Sequence, residues 1–292
     1  MKDQFNKGLL LTSLGSFWWG FIGVIYFQYV SFIGHIELVV HRCLWTAVML
    51  LLTTTFFSKW SLFKRIIKNK NYLFGLLISG FLIFINWAVW IYAVATERII
   101  DASFGYFIMP IISVLLGYIF FKEKLNKKRI FAIILVSISI LILIFFNLKS
   151  LPWVGLIVAF SWAFYNLIRK KIDVDTDIGL LIESLYILPF ALVVFYLITK
   201  AGVNDFSFSN PGLSLFLILA GPMTVIPLFL YVRGVELIGL GPTGMIFYIT
   251  PTLQFILGYF YYNEDFSIIK FVSFIIIWIA VIIYLKDLYE TN

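Results

Sequence analysis

The stretch IMPIISVLLGYIFFKE at positions 108–123 is echoed by ITPTLQFILGYFYYNE at positions 249–264. Ile108, Pro110, Leu116, Gly117, Tyr118 and Glu123 recur in one register as Ile249, Pro251, Leu257, Gly258, Tyr259 and Glu264. Apolar runs resemble one another by chance. A proline, a Gly-Tyr pair and a closing glutamate at a single offset are more specific, and they mark a duplicated chain. Each run is continuous and long enough to cross a bilayer as a helix, which needs about 20 apolar residues. A membrane barrel would instead show alternating segments of about ten residues.

Working outward from these two runs, ten spans are predicted, at residues 8–30, 37–57, 72–94, 100–121, 129–146, 153–168, 179–199, 213–232, 238–262 and 267–285. The first is too long for the apolar core of a signal peptide and is expected to be a retained span. The repeated stretches fall in the fourth and ninth spans. An odd shift of five spans reverses direction, so the chain is expected to be all-α, with ten transmembrane helices as two inverted five-helix repeats. The first repeat occupies residues 1–147 and the second 148–292. Inverted halves of this kind underlie alternating access in many carriers.

Composition agrees. Of 292 residues, 62% are hydrophobic and 13% charged, with a mean hydropathy of +1.01; so few charges cannot clothe a water-soluble fold, whose chains average about 25% charged. The net charge of +7 sits in short clusters between apolar runs rather than in a basic domain, which argues for a lipid bilayer and against nucleic acid as the partner. Counted by side, 17 of the 22 Lys and Arg residues fall at the termini and even-numbered loops. By the positive-inside rule both termini are then cytoplasmic. The single cysteine, Cys43, lies within an apolar run and excludes an intramolecular disulfide.

Polar residues inside the spans are the candidates for function, because burying them in lipid is costly. Arg42 lies in the second span, where Glu37, His41 and Trp45 share a neighbouring face at four-residue spacing. A guanidinium there suits a carboxylate or phosphate. Glu183 holds the mirrored depth in the seventh span, where a shift of 142 aligns it with His41, and is a candidate for coupling to a proton or cation. Asn86 with Trp87 and Trp90, Tyr106 and Tyr248 beside the mid-span prolines, and Trp162 with Tyr165 are further candidates to line a central cavity. The first span adds Ser16, Trp18 and Trp19, and Gln28 and Gln254 are weaker candidates. Pro110 and Pro251 break the helical ladder at matched positions; Pro227, in the run 221–227, is expected to make its span irregular or kinked and to act as a hinge. The run Arg169, Lys170, Lys171 followed by Asp173, Asp175 and Asp177 reads as a solvated loop.

The blocks HRCLW (41–45), NW (86–87), WIYAV (90–94), GYFIMP (105–110), TVIPL (224–228) and YITPT (248–252) resemble the RarD branch of the EamA-type transporters, within the drug/metabolite transporter superfamily. The resemblance spans nearly the whole chain. It implies a ten-helix carrier of metabolites or drugs in the bacterial cytoplasmic (inner) membrane, with a central cavity opening to alternate sides.

The expected function is secondary active transport of a small amphipathic organic molecule, amino-acid-like or zwitterionic among the choices, needing no cofactor or metal. No P-loop is present to drive it with ATP. The competing readings are an intramembrane lipid-modifying transferase, for which no aspartate-rich, zinc or nucleophile-elbow motif is found, and a passive channel, for which no charge ring or filter loop is found. The sequence names no oligomeric state.

Overall fold

In the computed structural model, described for residues 2–95, 99–147, 153–172, 174–207, 209–260 and 268–291, all regular structure is helical. Helix α1 (Lys2–Phe17) runs through a π-helical turn (Trp18–Ile22) into α2 (Gly23–Tyr29). Then come α3 (His35–Phe56), the short α4 (Trp60–Ile66), α5 (Lys70–Ala95), α6 (Ile99–Phe121) and α7 (Lys127–Asn147). The second half holds α8 (Trp153–Lys171), α9 (Thr176–Lys200), α10 (Pro211–Ile238), α11 (Leu240–Ile246), α12 (Ile249–Phe260) and α13 (Ile268–Thr291).

Helices are the only open-chain way to satisfy backbone groups in hydrocarbon. Seven stretches are long and apolar enough to cross it: Asp3–Tyr29, His35–Phe56, Lys70–Ala93, Lys127–Phe146, Thr176–Lys200, Pro211–Ile238 and Phe271–Thr291. This is a multi-pass membrane protein. Three of the expected spans fall outside that set for visible reasons. The apolar stretch described in α6 is the shorter Gly105–Phe121; α8 ends in Arg169, Lys170 and Lys171; and the ninth is divided into α11 and α12. Large apolar side chains stand outward around the bundle, with Phe56 82% and Phe145 84% exposed. In water such a surface would aggregate; against acyl chains it is solvated.

The interruptions do not fall where the prolines alone would put them. Helix α6 continues through Pro110 and α10 through both Pro222 and Pro227. The run 221–227, expected to be irregular or kinked, lies within continuous helix. The chain instead turns at Phe247 and Tyr248, just ahead of Pro251. The repeat partner of Glu123, Glu264, lies outside the described residues.

Helix α1 packs on α10, α3 on both α9 and α10, α5 on α8 and α9, α6 on α8 and α11, and α7 on α13, while α12 lies against the π turn. Two of these crossings are made close by glycine. A Cβ on Gly221 of α10 would stand 2.5 Å from the Trp45 carbonyl oxygen of α3, and one on Gly80 of α5 would stand 3.3 Å from Cα of Glu183 on α9. At the far end of the α7–α13 pair, Arg129 Nε donates to Asp287 Oδ2 at 2.8 Å and Asn126 Nδ2 to the same oxygen at 2.6 Å.

Candidate functional site

Leu38, Arg42, Thr46, Leu50 and Thr54 follow one another at four-residue spacing and are all buried. They form the inward stripe of α3, and one member of that stripe is an arginine. Only 6% of Arg42 is exposed. Its Nε donates to Thr224 Oγ1 of α10 at 3.0 Å. Thr224 is free to accept because its own hydroxyl proton goes to the Ala220 carbonyl at 2.8 Å. The guanidinium carbon sits 4.6 Å from the ring centre of Trp87 and 5.2 Å from that of Phe27, near enough for cation–π attraction.

Arg42 borders a cavity of about 60 Å³. The π turn and α2 contribute Trp19 and Phe27, α5 contributes Asn86, Trp87 and Trp90, and α6 contributes Tyr106. From the second half come Trp162 of α8, Phe247 at the α11–α12 turn, and Thr250 and Gln254 of α12. Asn86 Nδ2 donates to the Val158 carbonyl at 2.9 Å and to Ser161 Oγ at 3.1 Å, which fastens α5 to α8. One wall is a cluster of rings: Trp19 meets Trp162 edge-on at 5.1 Å, and Trp162 lies 5.4 Å from Tyr231, which lies 5.5 Å from Phe247. The irregular helices meet here. Thr250 Oγ1 donates to the Ser16 carbonyl at 2.9 Å, just ahead of the π turn, and a Cβ on Gly20 would stand 2.8 Å from the Thr250 carbonyl oxygen.

Arg42, Asn86, Trp87, Trp90, Tyr106 and Trp162 are thus brought together. His41 and Trp45 are not among the lining residues. Trp45 Nε1 donates to His41 Nδ1 at 3.1 Å, leaving Nε2 as the protonated nitrogen of the neutral ring. That Nε2 lies 3.4 Å from Glu37 Oε1, outside hydrogen-bond geometry. Glu37 in turn accepts the backbone N–H groups of Asp205 and Phe206, so this face of α3 anchors the loop before α10. Tyr248 also stands apart, its hydroxyl donating to the Phe107 carbonyl at 2.9 Å.

Glu183 belongs to a second buried site. It is 2% exposed, and accepts from Ser79 Oγ of α5 at 2.5 Å and from the Tyr165 hydroxyl of α8 at 3.2 Å. Arg169 Nε lies 3.6 Å from Glu183 Oε1, an ion pair without hydrogen-bond geometry. The same guanidinium donates through Nη2 to the Thr176 carbonyl and lies 4.0 Å from Glu236. The sequence places Arg169 in a solvated loop; the structure puts it inside α8 and only 1% exposed. The Glu183 carboxylate, the Thr176 carbonyl and Glu236 are what hold it there, since a buried charge needs partners.

Beyond this network opens a cleft of about 850 Å³, bordered by Arg65, Lys170, Lys171 and Arg233 against Asp175 and Glu236. At its rim Lys59, in the α3–α4 turn, reaches Asp177 at 2.7 Å and Asp175 at 3.4 Å. Partial burial works against the Lys59 charge, but the hydrogen bond and charge of Asp177, aided by Asp175, outweigh it and raise its pKa.

Sequence reasoning does not single out Phe27, Phe247 or Thr250. With 32 phenylalanines in the chain, no single one stands out. Among the described residues, no group of three or more His, Cys, Asp or Glu side chains is arranged to hold a metal ion.

Comparison with known proteins adds the following. The sequence profile of the EamA-like transporter family matches twice, over residues 6–145 and 150–286. Protein RarD of Escherichia coli (strain K12) is 34% identical over 289 residues, covering 99% of this chain and 97% of the relative. The uncharacterized transporter YojE of Bacillus subtilis (strain 168) is 33% identical over 282 residues, covering 96% and 93%. A solved crystal structure superposes with a TM-score of 0.71 over 96% of this chain and 97% of its own, at 11% identity, a likeness of fold alone.

Proposed function

The chain belongs to the EamA-like transporter family, and from that footing we propose that it is a secondary active transporter, moving small amphipathic organic metabolites or drugs across the bacterial cytoplasmic membrane by alternating access. The observation that carries this reading is the position of the aromatic cavity. Its lining comes from residues 1–147 on one side and 148–292 on the other, with Arg42 facing across to Thr224. At about 60 Å³ the cavity admits a few waters but no organic solute, since ligand pockets usually run to about 300 Å³ or more. A substrate requires the two halves to part.

The finer architecture is ten membrane crossings in two inverted five-helix repeats, with both termini in the cytoplasm. Three observations support it. The family profile matches twice in succession. The helix pairings exchange with one another when each half is mapped on the other: α1 on α10 with α8 on α5, and α3 on α10 with α9 on α5. Finally, Gly80 and Gly221 are related by the same offset that carries Pro110 onto Pro251, and each makes one of those exchanged crossings close.

In this reading Arg42, Asn86 and the indoles hold the solute, and Glu183 is the candidate coupling group, released when its partner Arg169 moves. Tyr165 then acts on coupling through Glu183 rather than on the solute. Purified protein in liposomes preloaded with a solute should draw in labelled solute transiently above equilibrium, and Glu183→Gln should abolish its dependence on a proton gradient. Plain equilibration without overshoot, across a metabolite and drug collection, would favour a passive channel. Chemical conversion of a lipid in detergent would favour a transferase. Either result would remove the carrier reading.

A further inference from the structure

Buried guanidinium groups in this protein come with carboxylates. Arg129 has Asp287 at 2.8 Å and Arg169 has Glu183 at 3.6 Å. Arg42 breaks the pattern. Among the described residues no carboxylate lies within ion-pair distance of it, and its only hydrogen bond is from Nε to Thr224. Its faces are taken by Trp87 and Phe27, so the terminal Nη1 and Nη2 groups are what remains to bind. An unpaired buried charge is among the most costly features a fold can carry, and the donors left over on Arg42 form the two-pronged edge that fits a carboxylate.

The rest of the cavity narrows the ligand. Among the described residues Arg42 is the one charged side chain lining it; the others are aromatic, aliphatic, amide or hydroxyl groups, with one glycine. An aromatic box can attract organic cations, but here the rings already face a guanidinium, and a second cation would be repelled in a medium of low dielectric. The ammonium of a zwitterion finds no acid among the described lining residues. A dianion would bring one negative charge too many. The cleft at the other end, with Arg65, Lys170, Lys171 and Arg233 exceeding Asp175 and Glu236, adds positive potential that concentrates anions.

We propose that the pocket selects an organic monoanion, its carboxylate on the free edge of Arg42 and a flat apolar body against Trp19, Trp162 and Phe247. This rests on the transport reading above and sets aside the zwitterionic substrates that the sequence left open. The test is equilibrium calorimetry on detergent-purified protein at pH 7 with two matched series. One is 3-phenylpropionate, L-phenylalanine, 2-phenylethylamine and 3-phenylpropan-1-ol; the other is indole-3-propionate, L-tryptophan, tryptamine and 3-(indol-3-yl)propan-1-ol. In each series the carboxylate should bind about 10- to 100-fold more tightly than its three counterparts, the span expected for a charge-assisted hydrogen-bonded contact. Arg42→Gln should flatten that ranking, while Arg42→Lys should keep its order with weaker binding.

The wild-type ranking decides even if Arg42→Gln fails to fold. Equal or tighter binding of an amine or zwitterion overturns the proposal. So does a ranking that survives in folded Arg42→Gln, or the absence of binding by every member of both series. Counterflow separates this failure from the larger one. Overshoot with neutral or cationic solutes alone would leave a carrier with a different ligand, whereas no overshoot with any solute would remove the carrier itself.

Discussion

Arg42 and Glu183 are related by the offset of the sequence repeat, and each reaches from one half of the chain to a hydroxyl on the other, Thr224 and Ser79 respectively. Around Glu183 the charge is answered by Arg169 and by the Tyr165 hydroxyl. Around Arg42, among the described residues, it is answered by a threonine and two ring faces. Corresponding places in the two halves therefore hold opposite charges in opposite conditions. One is neutralised by the protein itself, and the other is left for something that the protein must acquire.

The largest consequence concerns stability. Removing Arg169 strands the buried Glu183 carboxylate, so Arg169→Met should lower the unfolding free energy in detergent by about 3–5 kcal/mol. The double variant Arg169→Met, Glu183→Gln should regain most of it. Arg42→Met should behave differently, leaving stability unchanged or raising it, because it removes a buried charge that has no carboxylate partner to strand among the described residues. Equal losses in the two single arginine variants would erase the contrast between the two sites.

A second test addresses the packing that brings both sites into place. Gly221→Ala drives a Cβ into the Trp45 carbonyl, which cannot rotate away, and should cost about 1–3 kcal/mol by thermal denaturation. Gly80→Ala meets Glu183 at 3.3 Å and should cost less. The reverse order would mean that the Trp45 carbonyl gives way more easily than the α9 backbone at Glu183. The smallest loss expected is at Thr224→Val, which deletes one hydrogen bond to Arg42 and should cost about 0.5–1.5 kcal/mol in the same assay. No loss would show that the rings alone hold the guanidinium.

Much of the fold was legible because lipid demands long apolar runs, and hydropathy registers those directly. Hydropathy does not register hydrogen-bond pattern. The π turn at Trp18–Ile22 and the division of the ninth span at Phe247 and Tyr248 are equally apolar whether wound regularly or not. The pocket was partly legible for a related reason. Arg42, Asn86 and the nearby indoles are conspicuous in an apolar setting, but a helix turns about 100° per residue. On an apolar helix, composition does not say which face turns inward. His41 and Trp45 therefore fall beside Glu37, and Tyr165 falls to Glu183, although all are near the pocket residues in sequence. Arg169 escapes such a reading because its flanking charges suggest solvent, while the carboxylate that receives it lies past the charged loop, on the next helix.

The π turn between α1 and α2 has a mechanical consequence. The N–H of Gly23 bonds to the carbonyl of Trp18, five residues back rather than four, so the turn contains one residue more than its α-helical equivalent. Winding that residue back into regular helix would twist α1 against α2 by about 100° around their shared axis. Trp19 would swing out of the aromatic wall without any loss of helical length to speak of. Thr250 at the start of α12 lies against this turn, so rewinding it would require α12 to move as well.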